Sequence, residues 1–338
     1  MPAEFKLFGS LASPYSLKML AALRYRRIAH LLLTDPGEIG AALGQVKVPV
    51  IPVLQYPDGK YSNDTTPLIF DLERRFKRRR IVPKSPALGF IACLIEDMAD
   101  EWCTKIMFEY RWRRLLDQDA LAQQLAIDMA PLATSTDLSK RQQSLRQRQV
   151  DRMALVGATP GNQPLLEASF VQLLDILETI VAQQAYLFGA RPSLADFALY
   201  GQFAQLANDP TPGAILRERA PRFARWLARL ADASGVEGSW AQSTGDVLAL
   251  LTPLLRFCAE IYLPFLDANT KAVATDAPVM HVELNGQPYQ QAPYRYQSRC
   301  FIALRERYAE LSASDKAELE PVLDRIGALR FITQRARV

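Results

Sequence analysis

The sequence predicts an α/β N-terminal domain, then an all-α domain, then an α-rich extension carrying a small β-hairpin. Two observations carry the first domain. A short apolar run, Phe5-Lys6-Leu7-Phe8, is followed by the helix opener Ser13-Pro14-Tyr15-Ser16. A β-branched stretch, Val48 to Leu54, then leads through an Asp58-Gly59 turn signal into a second helix opener at Asn63-Asp64-Thr65-Thr66-Pro67. The third observation is that everything beyond residue 87 reads as helix, apart from one Asn-Gly turn near residue 285.

Phe5 to Phe8 has the short apolar pattern of a strand. Pro14 suits a first helical turn, where its missing N–H is not needed. After it, Leu17, Met19, Leu20 and Leu23 fall at helical spacing. Free N–H groups and the positive end of the helix dipole then face whatever sits near Ser13. A hydroxyl there can donate to a bound thiolate and favour its charged form. Asp58-Gly59 turns the chain, Lys60-Tyr61-Ser62 returns as a strand, and Leu68 to Phe76 continues as a helix.

These motifs, in this order, resemble the glutathione transferase superfamily. Its thioredoxin-like half reads S/C-P-x-x at the first helix, then V-P-x-L, D-G and E/Q-S. This chain supplies Ser13-Pro14, Ile51-Pro52-Val53-Leu54, Asp58-Gly59 and Asp64-Thr65. The resemblance implies a catalytic Ser13 that hydrogen-bonds the sulfur of glutathione, with Tyr15 beside it among the glutathione-binding residues. It makes Pro52 a cis-proline, although Val48-Pro49 offers a second X–Pro bond. The backbone of Ile51 would pair with the cysteinyl part of the tripeptide, and Asp64 and Thr65 would hold the γ-glutamyl end. The family's usual pair there is Glu or Gln followed by Ser, so Asp64 is one methylene short. Lys47 is the nearest basic residue for the glycyl carboxylate.

The remaining segments fit the same family. Leu88 to Leu116 reads as one long helix, and residues 165–188 as another ending at Phe188-Gly189. Ser193 and Asp196 are spaced as a capping box opening the next helix, so Asp196 is read as a cap and not a catalytic acid. A polar helical segment lies near 137–153. The boundaries expected are a thioredoxin-like glutathione-binding domain over 1–76, a linker over 77–86, an all-helical domain over 87–235 and an extension over 236–338. In the extension, Val247 to Leu266 reads as a helix broken near Pro253 and Pro264. Val279 to Gln290 reads as a hairpin around Asn285-Gly286, followed by helices over Tyr294–Leu311 and Ser314–Leu329.

Composition narrows the partners. The chain has 338 residues, 49% hydrophobic and 22% charged, with a net charge of +4, and this mild charge implies no nucleic-acid partner. The basic run from Arg74 to Arg80 reads as a helix C-terminus plus a solvated linker. No signal peptide and no membrane-spanning apolar run is expected, which implies a cytoplasmic protein. Cys93, Cys103, Cys258 and Cys300 form no C-x-x-C pair and are expected to be reduced and mostly buried. With His30 and His281 as the only histidines, no metal site is expected. Glu96, Asp97, Asp100 and Glu101 lie on the long helix near the family's acceptor cleft. They read as a solvated face with pairs such as Glu101–Lys105, ahead of the alternative that they line a polar pocket.

The function this implies is a glutathione transferase-like enzyme. Glutathione is the co-substrate, its thiolate attacks a small electrophile or a peroxide in detoxification, and the protein is a homodimer. A serine in place of cysteine favours that chemistry over mixed-disulfide reduction, which needs a protein thiol. The alternative is a non-catalytic binding or interaction protein on the same fold.

Overall fold

A computed structural model describes residues 4–333. The N-terminal part runs β1 (Phe5–Phe8), α1 (Pro14–Tyr25), β2 (His30–Leu33), α2 (Pro36–Leu43), β3 (Val53–Gln55), β4 (Tyr61–Asn63) and α3 (Thr65–Arg75). Its sheet has the order β2-β1-β3-β4, with β1 parallel to β2 and the other two pairings antiparallel. Phe8 pairs with Val53, and Val53 pairs with Asn63. This register puts the end of β1, the start of β3 and the end of β4 at one edge. The N-termini of α1 and α3 emerge at that edge. Ser13 caps α1 by accepting from the Ser16 N–H at 3.3 Å, and Pro14 follows as the first helical residue.

The helical part follows as α4 (Pro86–Met98), a π-helical turn (Ala99–Cys103) and α5 (Thr104–Arg113). The expected single helix over 88–116 therefore carries a bulge and stops at Arg114, whose backbone turns extended before α6 (Leu115–Met129). Next come α7 (Ser135–Asp151), α8 (Gln163–Gln183), α9 (Leu194–Asn208), α10 (Pro210–Arg219) and α11 (Pro221–Leu230). The capping box at α9 is complete. Asp196 accepts from the Ser193 N–H at 2.8 Å and from the Leu187 N–H at 2.9 Å, while Ser193 Oγ accepts from the Asp196 N–H. Gly201 faces α1, where a Cβ would sit 2.5 Å from the Pro14 carbonyl oxygen, so glycine lets the two helices meet closely.

The extension comprises α12 (Thr244–Phe257), a second π-helical turn (Cys258–Tyr262), α13 (Leu263–Ala274), β5 (Met280–Leu284), β6 (Gln287–Gln291), α14 (Arg295–Ala309), α15 (Ala313–Arg325) and α16 (Leu329–Ile332). The break expected near Pro253 and Pro264 is absent. Pro253 lies inside α12, where the Thr252 hydroxyl donates to the Leu248 carbonyl at 2.7 Å, and Pro264 falls just after the π turn. The helical run Thr244–Ala274 is long and apolar enough to cross a membrane by length and composition, unlike the sequence expectation. However, 61% of its most apolar window is buried inside the protein. Asn285 and Gly286 both have positive φ, +48° and +72°, as a two-residue hairpin turn of type I′ requires.

The core is continuous through the helical part and the extension: Trp102 packs edge-on against Phe265 and beside Tyr289. The basic run is not simply solvated. Arg79 donates to the Ser234 carbonyl at 3.1 Å and stacks on Tyr25, and Arg80 pairs with buried Glu73 at 2.9 Å.

Candidate functional site

At the shared sheet edge the chain gathers Ser13, Ile51, Pro52, Asp64 and Thr65. The Ile51–Pro52 peptide bond is cis. Gly9 shows how close the segments lie, since a Cβ there would meet Ser16 Oγ at 2.4 Å and Pro52 Cβ at 3.5 Å. Ser13 is half-buried. Its oxygen accepts from the Ser16 N–H, and its own O–H has no acceptor among the described residues. It is therefore free to donate toward the edge. Asp64 is half-buried with φ +72°, and its carboxylate makes no bond to the helix it precedes.

The loop before Ser13 is held from the helical part. Arg111 donates to the Ala12 carbonyl at 3.1 Å, and Gln205 donates to the Leu11 carbonyl at 2.8 Å. Arg111 is itself fixed by Asp209 at 2.8 Å and by Gln205 at 3.0 Å. Asn63 plays the same part on the other side, its amide donating to the Val48 and Val50 carbonyls at 2.6 and 3.1 Å. The sequence assigned none of these three a role at the site. Arg111 and Gln205 carry no local motif, and only the adjacency of Asn63 to Asp64 was a signal.

Tyr15 and Lys47 are placed differently from the others. The Tyr15 hydroxyl donates to the Asp100 carbonyl at 2.9 Å, with Thr104 and Gln202 also facing it, and burial holds its pKa well above the ordinary phenol value. Its side chain thus joins α1 to the long helix. Lys47 is exposed in the loop between α2 and β3 that Asn63 tethers.

Behind the site lies the acidic cluster, and here the solvated-face expectation is corrected. Glu96 is 2% exposed, Asp100 7% and Glu101 9%. Lys18 of α1 sits 2.6 Å from Glu96 Oε1 and 2.6 Å from Asp100 Oδ2, and the Thr66 hydroxyl donates to Glu96 at 2.5 Å. Burial alone would lower the Lys18 pKa, but Asp100 and Glu96 outweigh it and raise it. Burial pushes Asp100 up, with Lys18 opposing. Asp97 accepts from the Tyr262 hydroxyl at 2.6 Å and is also raised by burial. Lys105 does not pair with Glu101 as expected. It donates to Gln291 at 2.9 Å and to the Val156 carbonyl at 3.1 Å, and burial lowers its pKa to about 8.

The expectation for the cysteines holds in geometry: Cys93, Cys103 and Cys258 are buried and free, and Cys300 is half-buried. Among the described residues no group of three or more metal-ligating side chains comes together.

Residues 7–80 match the N-terminal domain of glutathione S-transferases, and residues 143–229 match their C-terminal domain. The chain belongs to the glutathione transferase superfamily. No curated protein matches it. Among solved structures it is similar to a glutathione S-transferase of Methylobacterium radiotolerans in complex with glutathione sulfonate. That likeness has 18% identity, covers 71% of this chain and 97% of the other, and has a TM-score of 0.43. The β-etherase LigF of Sphingobium is similar at 20% identity, with 67% and 94% coverage and a TM-score of 0.44. A glutathione S-transferase-like protein of Pseudomonas syringae is similar at 17% identity, with 74% of each chain covered and a TM-score of 0.44. The family assignment rests on the two domain matches.

Proposed function

We propose that the chain is a glutathione transferase-like enzyme, with glutathione bound as co-substrate at the sheet edge of the N-terminal domain. The observation that carries this is the meeting of Ser13, cis-Pro52 and Asp64-Thr65 at one edge in a chain with both family domains. In this reading Ser13 donates its free O–H to the glutathione sulfur, and the first turn of α1, including the backbone of Tyr15, adds the positive end of the helix dipole. A hydrogen bond to a charged acceptor contributes about 1.5–3 kcal/mol, or roughly one to two pKa units. Starting from a free thiol near ~8.5, that shift makes the thiolate a substantial species at neutral pH. Ile51 pairs through its backbone with the cysteinyl unit, Pro52 shapes the turn, and Asp64 and Thr65 hold the γ-glutamyl end. Lys47 is the candidate for the glycyl carboxylate.

The thiolate sulfur then forms a bond to an electrophilic centre, whose leaving group departs with the electron pair. Peroxide reduction is the companion reaction of the same thiolate. A homodimeric, cytoplasmic, detoxifying enzyme, with residues 1–76 as the glutathione domain and 87–235 as the helical domain, completes the reading.

Calorimetric titration of glutathione into the wild type and Asp64→Ala tests the site. Micromolar to low-millimolar binding that is lost in the variant supports it, and Ser13→Ala should then move the acid limb of the conjugation rate to higher pH by about one to two units. No heat at ~10 mM glutathione means binding weaker than about 3 kcal/mol. That outcome sinks the enzyme reading in favour of a non-catalytic binding protein.

A further inference from the structure

The extension reaches the γ-glutamyl end of the site. Tyr296, on the first turn of α14, donates its hydroxyl to Asp64 Oδ2 at 2.9 Å across 232 residues of sequence. Its neighbour Gln297 donates to Glu101 Oε2 at 3.0 Å. One helix therefore touches a carboxylate of the N-terminal part and a carboxylate of the helical part with consecutive residues.

This start of α14 is held firmly. Asn269 brackets Tyr294, its amide donating to the Tyr294 carbonyl at 3.0 Å and its oxygen accepting from the Tyr294 N–H at 2.8 Å. Gln297 accepts from Gln291 at 3.2 Å, and Gln291 accepts from Lys105 and Tyr289. The Tyr296 phenol is thus positioned before any ligand arrives, so little ordering cost is left for binding.

Its chemistry then decides its role. A phenol that donates to a carboxylate keeps its own lone pairs, so it can accept at the same time. The Asp64 carboxylate can take several donors, and among the described residues Tyr296 is its one side-chain partner. Asp64 and Tyr296 together present an anionic and a neutral acceptor side by side, backed by the Glu101 carboxylate. Three N–H donors on one small cation match such a set; a second carboxylate does not.

We propose that Tyr296 of the extension is a binding residue of the glutathione site, accepting from the primary ammonium of the γ-glutamyl group alongside Asp64. The extension is on this account the third wall of the pocket, and Tyr296 sets its preference for a ligand with a free amine. This assignment rests on the reading of the edge as a glutathione site.

The test compares two peptides in the full-length protein: glutathione, and glutaryl-Cys-Gly, which is glutathione without its amine. Calorimetry is run on wild type, on Tyr296→Phe, and on Tyr294→Phe as a control at a mostly exposed neighbouring ring. Tyr296→Phe keeps the ring and its packing, and circular dichroism and melting check the fold. Glutathione binding should weaken roughly tenfold in Tyr296→Phe, with glutaryl-Cys-Gly and the control unchanged. Equal loss for both peptides would make Tyr296 a structural residue. Unchanged or tighter glutathione binding would mean that the phenol contributes nothing or competes for Asp64. Each of these overturns the assignment while leaving the site reading intact. A wild type that binds glutathione no better than ~10 mM removes both.

Discussion

Replacing Lys18 with methionine keeps the length of the side chain and removes its charge from between two buried carboxylates. Lys18 is 1% exposed, and its ammonium lies 2.6 Å from both Glu96 and Asp100. Without it, Glu96 keeps only the Thr66 hydroxyl, and one Asp100 oxygen already has no partner among the described residues. Removing one member of a buried ion pair typically costs about 3–5 kcal/mol, because the charge left behind is neither solvated nor compensated. Two such charges place Lys18→Met at the upper part of that range. The loss should depend on pH. Burial already raises Asp100, and losing Lys18 raises it further. A carboxylate whose folded pKa exceeds its unfolded value contributes most below the unfolded value, near ~3.9, and that contribution fades as pH rises through the folded pKa. The variant should therefore lose more stability at pH 8 than at pH 5. Adding Glu96→Gln and Asp100→Asn should restore most of it, since the amides need no cation. Equilibrium denaturation by urea at the two pH values measures all of this. A loss under about 1 kcal/mol, or one identical at both pH values, would refute the claim that the cluster is a desolvated, charge-balanced unit.

Two further outcomes follow from the same geometry. Gly201→Ala gains about 1 kcal/mol of helix propensity, but its Cβ would lie 2.5 Å from the Pro14 carbonyl. The net should be a loss of about 1–3 kcal/mol in denaturant unfolding, together with weaker glutathione binding because the displaced turn carries Ser13. A stabilised variant would show that α1 and α9 can separate freely. Burial raises Asp196 to about 6, above its unfolded value, so its contribution to stability is full near pH 4 and fades as pH rises through 6. Asp196→Asn should therefore flatten the stability profile between pH 4.5 and 7.5, whatever constant offset it adds, and parallel profiles for variant and wild type would contradict it.

The parts of the fold that were legible in the sequence are those written by local chemistry. Ser13-Pro14 opens α1 because a hydroxyl caps and a proline needs no N–H, and Asn285-Gly286 turns the hairpin because both residues accept positive φ. Ser193 and Asp196 form their box within three residues. The candidate site was legible to the same extent: Ser13, Pro52, Asp64 and Thr65 are each the first residue of, or beside, a signal that spacing exposes. Proline misled at residues 253 and 264. A helix held by packing tolerates the missing N–H of Pro253 inside α12, and at Pro264 a π turn precedes the proline.

The acidic segment Glu96 to Glu101 shows why the rest was hidden. Read along one helix, alternating acids with Lys105 four residues on look like a solvated face, because i,i+4 pairing is the only partner that local sequence can offer. The partners come from elsewhere: Lys18 from α1, Thr66 from α3, Tyr262 after α12 and Gln297 on α14. Burying three carboxylates and half-burying a fourth is costly unless each finds a donor, and these donors arrive from four separated segments. No window of sequence contains that set. The same reasoning explains why the contacts of the extension were hidden. Outside the Asn285-Gly286 turn its residues carry no motif, yet its hydroxyl and amide groups satisfy acids of both other parts, so that Tyr296 ends up on Asp64. A segment whose sequence shows only helices and one hairpin is, by its hydrogen bonds, tied to both of the parts that precede it.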